Sequence, residues 1–222
     1  MGQKINPNGF RLGTTHTWES RWFAGHKQYK NFVLEDTRLR ELLFKRIKSV
    51  GLTSVEIERS INTINIILHV VRPGMVIGLG GQGLEELKKF IQNSIIKHRK
   101  DSGLIADQKN SIKLDIRVEP VKEPNLNAYF VASQIAEQLE KRLPHKRVVN
   151  FALEKTKNAG AKGAKIMLSG RIAGAEIGRK ETYKYGSIPL STIRADIDFA
   201  HIPALTKSGY VGVKVWICKS NI

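Results

Sequence analysis

The amino-acid sequence predicts an α+β fold made of an N-terminal arm and two domains. Three observations support this class. Apolar residues recur at helical spacing in two stretches of each half of the chain, which is typical of amphipathic helices. Other stretches alternate apolar and polar residues, as strands with one buried face do. The segment 118–124 contains two prolines and separates the halves. The predicted segments are an arm over 1–35, a domain over 36–119 and a domain over 120–222.

The first domain is predicted to run helix, strand, strand, glycine-rich loop, helix, strand. Glu35-Asp36-Thr37 is typical of a helix start, and Gly51 is a natural stop. Pro73-Gly74 ends the second strand. The predicted strands cover 55–59, 64–70 and 112–118, and a second helix covers 82–100.

The second domain is predicted as two helices followed by an antiparallel sheet. Pro144 ends the first helix, and the second follows over 145–159. Residues 1–35 are polar and basic without a clear period, so we predict an arm rather than part of a core. The predicted strands of the second domain cover 166–168, 193–199 and 211–217.

The charge of the chain favours a polyanionic partner. Lys and Arg number 37 against 20 Asp and Glu, a formal net charge of +17. Self-repulsion on this scale opposes a compact fold until a polyanion neutralises it, and nucleic acid is the commonest such partner. A membrane surface is the weaker alternative, because no apolar run approaches the roughly 20 residues that span a bilayer.

Enzymatic, metal and disulfide chemistry find little support in the sequence. The single cysteine, Cys218, excludes an internal disulfide, and the six histidines are scattered. Ser191, Asp196 and His201 lie close in sequence, but no nucleophile-elbow motif accompanies the serine. We predict a non-enzymatic protein without cofactor or metal, in a reducing compartment.

The glycine-rich loop Gly78-Leu79-Gly80-Gly81 admits a dinucleotide-binding interpretation. Together with Gly83 it matches G-x-G-x-x-G. That motif needs a strand directly before the loop and an acidic residue at a strand tip about 20 residues further on. Only three apolar residues lead into this loop, and Asp101 follows the end of a basic helix. The context therefore argues against a dinucleotide site.

The same loop also matches the GxxG loop of a KH domain, which clamps the backbone of about four nucleotides. Glycines are needed there because phosphates approach the main-chain N–H groups without a Cβ in the way. Lys88 and Lys89 on the following helix are placed to contact phosphates further on. A plain turn at the start of a helix is the structural alternative.

A second concentration of candidate RNA-binding residues is electrostatic. Twelve Lys or Arg residues and three acids lie between Lys141 and Lys184, and one-sign enrichment fits contact with a phosphate backbone. Tyr183 and Tyr185 either stack on bases or pack within a sheet. The basic residues predicted to contact RNA are Arg171, Arg179, Lys180 and Lys184, with Lys4 and Arg11 in the arm.

Long segments resemble the bacterial family of small-subunit ribosomal protein S three. The resemblance covers essentially the whole chain. The segments that carry it are MGQKINPNGFRLG at 1–13, RPGMVIG at 72–78, GRIAGAEIGR at 170–179, PLSTIRADID at 189–198 and VGVKVWI at 211–217.

The resemblance implies a type II KH domain and a C-terminal α/β domain on the head of the small subunit. It implies 16S ribosomal RNA as the main ligand and ribosomal proteins S ten and S fourteen as neighbours, on a cytoplasmic or organellar ribosome. It also implies a place where messenger RNA (mRNA) enters the subunit, with basic residues on a helix helping to unwind it. Those positions are Lys146, Arg147 and Asn150 here, and Asn150 lacks the charge.

Three classes of function therefore remain as alternatives. A ribosomal constituent explains the charge, the order of elements and the long motifs together. A free RNA-binding regulator with a KH domain explains the first two. A dinucleotide-dependent enzyme explains only one glycine pattern.

Overall fold

The chain folds into two compact units. The first unit is Trp18–Lys122, and the second is Met1–Thr17 together with Glu123–Ile222. Helices and mixed or antiparallel sheets occur in both, so the α+β prediction is confirmed. The computed structural model describes residues 4–47, 50–60, 63–101 and 113–219.

The elements are numbered in chain order. The helices are α1 (Pro7–Phe10), α2 (His26–Arg46), α3 (Pro73–Ile77), α4 (Gln82–Asp101), α5 (Ala128–Glu140) and α6 (His145–Asn158). The strands are β1 (Ser20–Arg21), β2 (Leu52–Arg59), β3 (Thr63–Val70), β4 (Lys113–Pro120), β5 (Gly163–Gly170), β6 (Arg179–Gly186), β7 (Ile197–Thr206) and β8 (Gly209–Cys218).

The first unit packs α2 and α4 on one four-stranded sheet of order β1-β2-β3-β4. β3 pairs antiparallel with β2 and parallel with β4. Alternate residues of β3 are buried, as the sequence pattern predicts. They pack against apolar residues of the helices, among them Leu43 of α2 and Ile91 of α4. The predicted first residue of β4, Ile112, lies outside the described residues.

The start of α2 differs from the prediction. The helix begins at His26 and not at Glu35. Glu35 and Asp36 lie inside it, buried, and accept hydrogen bonds from Arg59. Acidic residues favour a helix start because of the helix dipole, but here they are counter-ions to a buried arginine.

The second unit packs α5 and α6 on one face of an antiparallel sheet of order β6-β5-β8-β7. The strand predicted over 193–199 begins only at Ile197, because a turn before it presents carbonyls to Arg11. Strand β6 was not predicted, since it lies at the sheet edge and alternates charged residues with tyrosines. Charged side chains are typical of edge strands.

The arm prediction is wrong for residues 7–11 and 26–35. Residues 26–35 form part of α2, and residues 7–11 belong to the second unit, where they pack beside β7. There the Asn8 side chain donates to the Phe199 carbonyl at 3.1 Å and accepts from the Phe199 N–H at 3.0 Å. These side-chain to main-chain bonds fix the N-terminal segment beside β7.

Candidate nucleic-acid interface

The loop Gly78–Gly81 connects α3 to α4 in the first unit. Its three glycines have φ angles of 70°, 62° and 82° in chain order, a conformation that other residues rarely adopt. The Leu79 side chain is 91% exposed. The loop therefore projects from the unit with its backbone held in a glycine-dependent shape.

The glycines around this turn divide into two groups. A Cβ on Gly78 would lie 3.0 Å from the Gly83 nitrogen, and one on Gly83 would lie 2.7 Å from the Val76 carbonyl oxygen. These two glycines allow α3 and α4 to approach closely. A Cβ on Gly80 or Gly81 would meet nothing within 4 Å, so the backbone there is open to a ligand.

The surroundings of the loop are partly apolar. Met75 and Ile77 on α3 are exposed, as is Leu79, and exposed apolar side chains beside such a loop suit contact with bases. We did not predict this surface, because a short apolar run in the sequence does not reveal which residues are exposed. Lys89 is exposed and Lys88 half-buried on α4.

The dinucleotide interpretation fails on the element before the loop. That motif follows a strand, whereas Pro73–Ile77 form the short helix α3. Apart from the short helix α3, which was not predicted, the elements follow the predicted order of helix, strand, strand, loop, helix and strand, and β3 pairs parallel with β4.

The predicted basic residues of the second unit do not share one face. On β6 the side chains alternate between the two faces of the sheet, so Lys180 and Lys184 point away from Arg179 and Tyr183. The Arg179 Nε donates to Glu181 at 2.8 Å, which partly neutralises that arginine. Arg171 lies in the loop after β5, and its Nε donates to the Ala175 carbonyl at 2.8 Å.

Tyr183 packs within the sheet rather than projecting for stacking. Its ring contacts the core beneath α5 and α6, and its hydroxyl donates to Glu181 at 2.7 Å. Burial and this hydrogen bond raise the pKa of Tyr183 to about 12. The same hydrogen bond lowers the pKa of Glu181, with His145 and Arg179 adding to the effect. The packing alternative for Tyr183 is therefore confirmed.

Lys4 and Lys184 lie near a third lysine, Lys165. The pKa of Lys165 is lowered, first by burial and then by the charges of Lys184 and Lys4. Its Nζ lies 4.9 Å from the centre of the Trp216 ring, and it stands directly opposite Lys184 in the sheet. Like charges in this position destabilise a sheet, and an anion bound there would relieve the repulsion.

The prediction that Arg11 contacts RNA is wrong. Its side chain is 0% exposed, and the guanidinium donates to five backbone carbonyls of the second unit. Its position is buried, so it stabilises the fold and does not face a ligand. The acceptors are Pro7, Pro189, Leu190, Thr192 and Ala195.

The start of α6 concentrates positive potential. Pro144 precedes the helix without a side-chain cap, and no acid lies in the first turn, although helix dipoles favour acids there. Lys146, Arg147 and Asn150 are all exposed. Arg147 and Asn150 line a groove together with Phe151, which is 49% exposed. The exposed phenylalanine was not predicted, since an aromatic residue in a helix is more often part of a core.

Metal binding and membrane insertion find no structural support in the part of the chain that the structure describes. No group of three or more His, Cys, Asp or Glu residues is placed to hold a metal ion there. Within the same residues, no helix combines the length and the apolar character that a membrane span needs.

Comparison with known families matches both units. Residues 38–126 match the KH domain family, and residues 135–217 match the family described as ribosomal protein S3, C-terminal domain. Fold and family match thus define an RNA-binding protein of the KH class.

Full-length relatives identify the family. The chain is similar to small ribosomal subunit protein uS3 of Lactobacillus helveticus, at 44% identity over 100% of this chain and 92% of the relative. It is 43% identical to the uS3 protein of Caldicellulosiruptor bescii, over 100% of this chain and 94% of the relative. It is 40% identical to the uS3 protein of Vesicomyosocius okutanii, over 100% of this chain and 90% of the relative. The chain belongs to the family of small ribosomal subunit protein uS3.

Proposed function

We propose that this uS3-family protein binds 16S ribosomal RNA (rRNA) through the loop Gly78–Gly81 and contacts mRNA at the start of α6. The observation that carries the rRNA contact is the open backbone at Gly80 and Gly81, beside the exposed Leu79. Lys89 lies about two turns further along α4 and adds a cation to the path of the RNA.

Other parts of the proposal rest on the family resemblance. Ribosomal proteins S ten and S fourteen are its proposed neighbours, and a cytoplasmic ribosome its proposed location. Among the remaining basic residues, Lys4 and Lys184 are supported as RNA contacts by their closeness to Lys165. Lys180 and Arg171 are supported by exposure alone.

Replacing Gly80 with Asp is expected to weaken binding of the full chain to an rRNA fragment of the subunit head by about tenfold, or ~1.4 kcal/mol. The carboxylate would repel phosphate where the backbone is open. Gly80→Asn is the matched control, because Asn has nearly the same shape and also tolerates a positive φ. Titration of the fragment, with circular dichroism of each variant, measures both effects.

The comparison of the two variants decides the role of the loop. Tight binding by Gly80→Asn and weak binding by Gly80→Asp support a phosphate contact. Wild-type affinity in Gly80→Asp would overturn the rRNA contact at this loop. An equal loss of RNA affinity in both variants would show that the loop acts only as a structural turn.

Replacing Lys146 and Arg147 together with Ala is expected to slow translation of a stable mRNA hairpin by about threefold, or roughly 0.65 kcal/mol in the barrier. An unstructured message should be nearly unaffected. The helix dipole disfavours both cations, so their removal should not destabilise α6. The measurement is elongation by purified ribosomes assembled with each variant.

The matched control removes two lysines from the other end of the same helix. Lys155 lies 4.4 Å from the Phe151 ring and Lys157 5.1 Å from the Tyr185 ring. If Lys155→Ala/Lys157→Ala slows the hairpin equally, net charge rather than the helix start is responsible. If the Lys146/Arg147 variant fails to assemble into small subunits, these two residues bind rRNA and not mRNA.

A further inference from the structure

A concave pocket in the second unit gathers cations without a carboxylate. It lies between the turn that joins α5 to α6, the loop after β5 and the turn between β7 and β8. Arg142, Arg171 and Lys207 line it, and among the described residues neither Asp nor Glu does. Its volume of ≈ 340 Å³ is roomy enough for a hydrated phosphate group. We refer to it as the cationic pocket.

The backbone of this pocket adopts unfavourable conformations at two positions. Among the described residues, the non-glycine residues with a φ in the left-handed range are Arg142, at 59°, and Ala173, at 56°. Both line the cationic pocket. Strained backbone of this kind concentrates at sites that bind or react.

Arg142 stands where a helix end normally has glycine. The Arg142 N–H donates to the Leu139 carbonyl at 2.9 Å, and the Leu143 N–H donates to the Gln138 carbonyl at 3.1 Å. This is the Schellman arrangement that ends many helices, and its left-handed residue is usually Gly. An arginine at this position sacrifices stability and places a guanidinium at the rim of the pocket.

The chemistry of the lining selects a phosphate group. Arginine presents a planar fork of N–H donors that matches phosphate oxygens. Ser208, which also lines the pocket, adds a hydroxyl donor, whereas the Thr206 hydroxyl already donates to the Gly209 carbonyl at 2.7 Å. Three cations without an acid leave a positive field that a phosphodiester neutralises.

The position of the pocket points to RNA as the source of that phosphate. Leu143 and Pro144 line both the cationic pocket and the groove that contains Arg147 and Phe151. A single strand lying in that groove reaches the pocket across this turn. We propose that the cationic pocket binds a backbone phosphate of an RNA strand that also contacts the start of α6. This inference rests on the proposed function and extends it to Arg142 and Lys207, which share one site with Arg171.

Arg142→Gly tests the pocket, because it should change stability and binding in opposite directions. Glycine adopts the positive φ without strain, so the urea midpoint of the full chain should rise. Affinity for a fluorescein-labelled 12-nucleotide oligouridylate should fall, and the slope of log K against log salt should decrease by about 0.7, the value per phosphate contact on single strands. Lys207→Gln should produce the same loss of slope.

Lys141→Gln is the matched control, since Lys141 is the exposed neighbour of Arg142 and does not line the pocket. It removes the same charge and should leave the salt slope unchanged. An equal loss of slope in Lys141→Gln, or wild-type slopes in Arg142→Gly and Lys207→Gln, would overturn the proposal.

Amide spectra distinguish the source of the phosphate. Adding the oligouridylate should shift the signals of Ala173, Gly174 and Ser208. Shifts caused by inorganic phosphate but not by the oligonucleotide would assign the pocket to a free phosphate and contradict the proposal. Failure here leaves the rRNA contact standing, because that contact is tested separately by Gly80→Asp and Gly80→Asn.

Discussion

Replacing Arg59 with Ala is expected to lower the free energy of unfolding of the first unit by about 3–5 kcal/mol, the cost of breaking a buried ion pair. The side chains of Arg59, Glu35 and Asp36 are 3%, 2% and 3% exposed. Arg59 Nη1 lies 2.7 Å from Glu35 Oε2, and its Nε lies 2.9 Å from Asp36 Oδ1. Removing the guanidinium leaves Glu35 with the partly exposed Arg99 and Asp36 with the neutral donors Ser20 and Trp22.

Urea unfolding followed by tryptophan fluorescence measures this effect. A Trp216→Phe background leaves Trp18 and Trp22 as reporters, both in the first unit, and the Trp22 Nε1 donates to Asp36 at 2.8 Å. Arg99→Ala is the matched control. Arg99 also donates to Glu35, at 2.8 Å, but its side chain is 25% exposed, so water replaces it and the loss should be clearly smaller.

The destabilisation by Arg59→Ala should shrink in acid. Burial alone would raise the pKa of Glu35, but hydrogen bonds and charge from Arg99 and Arg59 lower it overall. A carboxyl with a lowered folded pKa stabilises the protein above its unfolded pKa, and this stabilisation is lost as pH falls through the folded value. A difference between wild type and variant that stays constant below the usual Glu range would contradict the ion-pair explanation.

The regular elements were predictable because burial imposes a period on them. β3 alternates buried and half-buried residues along its whole length, and α4 begins at the predicted Gln82. The glycine loop was predictable for a different reason. Its residue types are needed by the backbone conformation itself, and positive φ angles at three of four positions leave few alternatives to Gly.

The roles of individual charged residues were less predictable, because the residue type does not reveal whether a side chain is buried. Glu35 and Asp36 resemble a helix start in the sequence, yet they neutralise Arg59 from the middle of α2. Arg142 resembles one more cation in a basic segment, and its positive φ appears only in the structure. In each case the partner lies far along the chain or on the backbone, where sequence periodicity carries no signal.

Replacing Arg11 with Ala is expected to destabilise the second unit by at least about 3 kcal/mol, because each buried acceptor left unpaired costs roughly 1–3 kcal/mol. The Arg11 Nε donates to the Ala195 carbonyl at 2.6 Å, and its Nη2 donates to the Thr192 carbonyl at 2.9 Å. These bonds hold the turn before β7 against α1. Arg11→Lys should be nearly as destabilising, since an ammonium cannot reproduce the spread of the guanidinium fork.

Hydrogen exchange of the full chain without RNA locates this effect. Peptides that cover the turn 187–196 and residues 4–17 should exchange faster in Arg11→Ala than in wild type. Arg194→Ala is the matched control, because Arg194 is an exposed arginine in the same turn, and exposed substitutions usually change stability by about 0.5 kcal/mol or less. If the Arg11→Ala protein exchanges at the wild-type rate but binds RNA more weakly, Arg11 contacts RNA after all. Faster exchange confined to these two segments would instead show that Arg11 holds the N-terminal segment against the turn before β7.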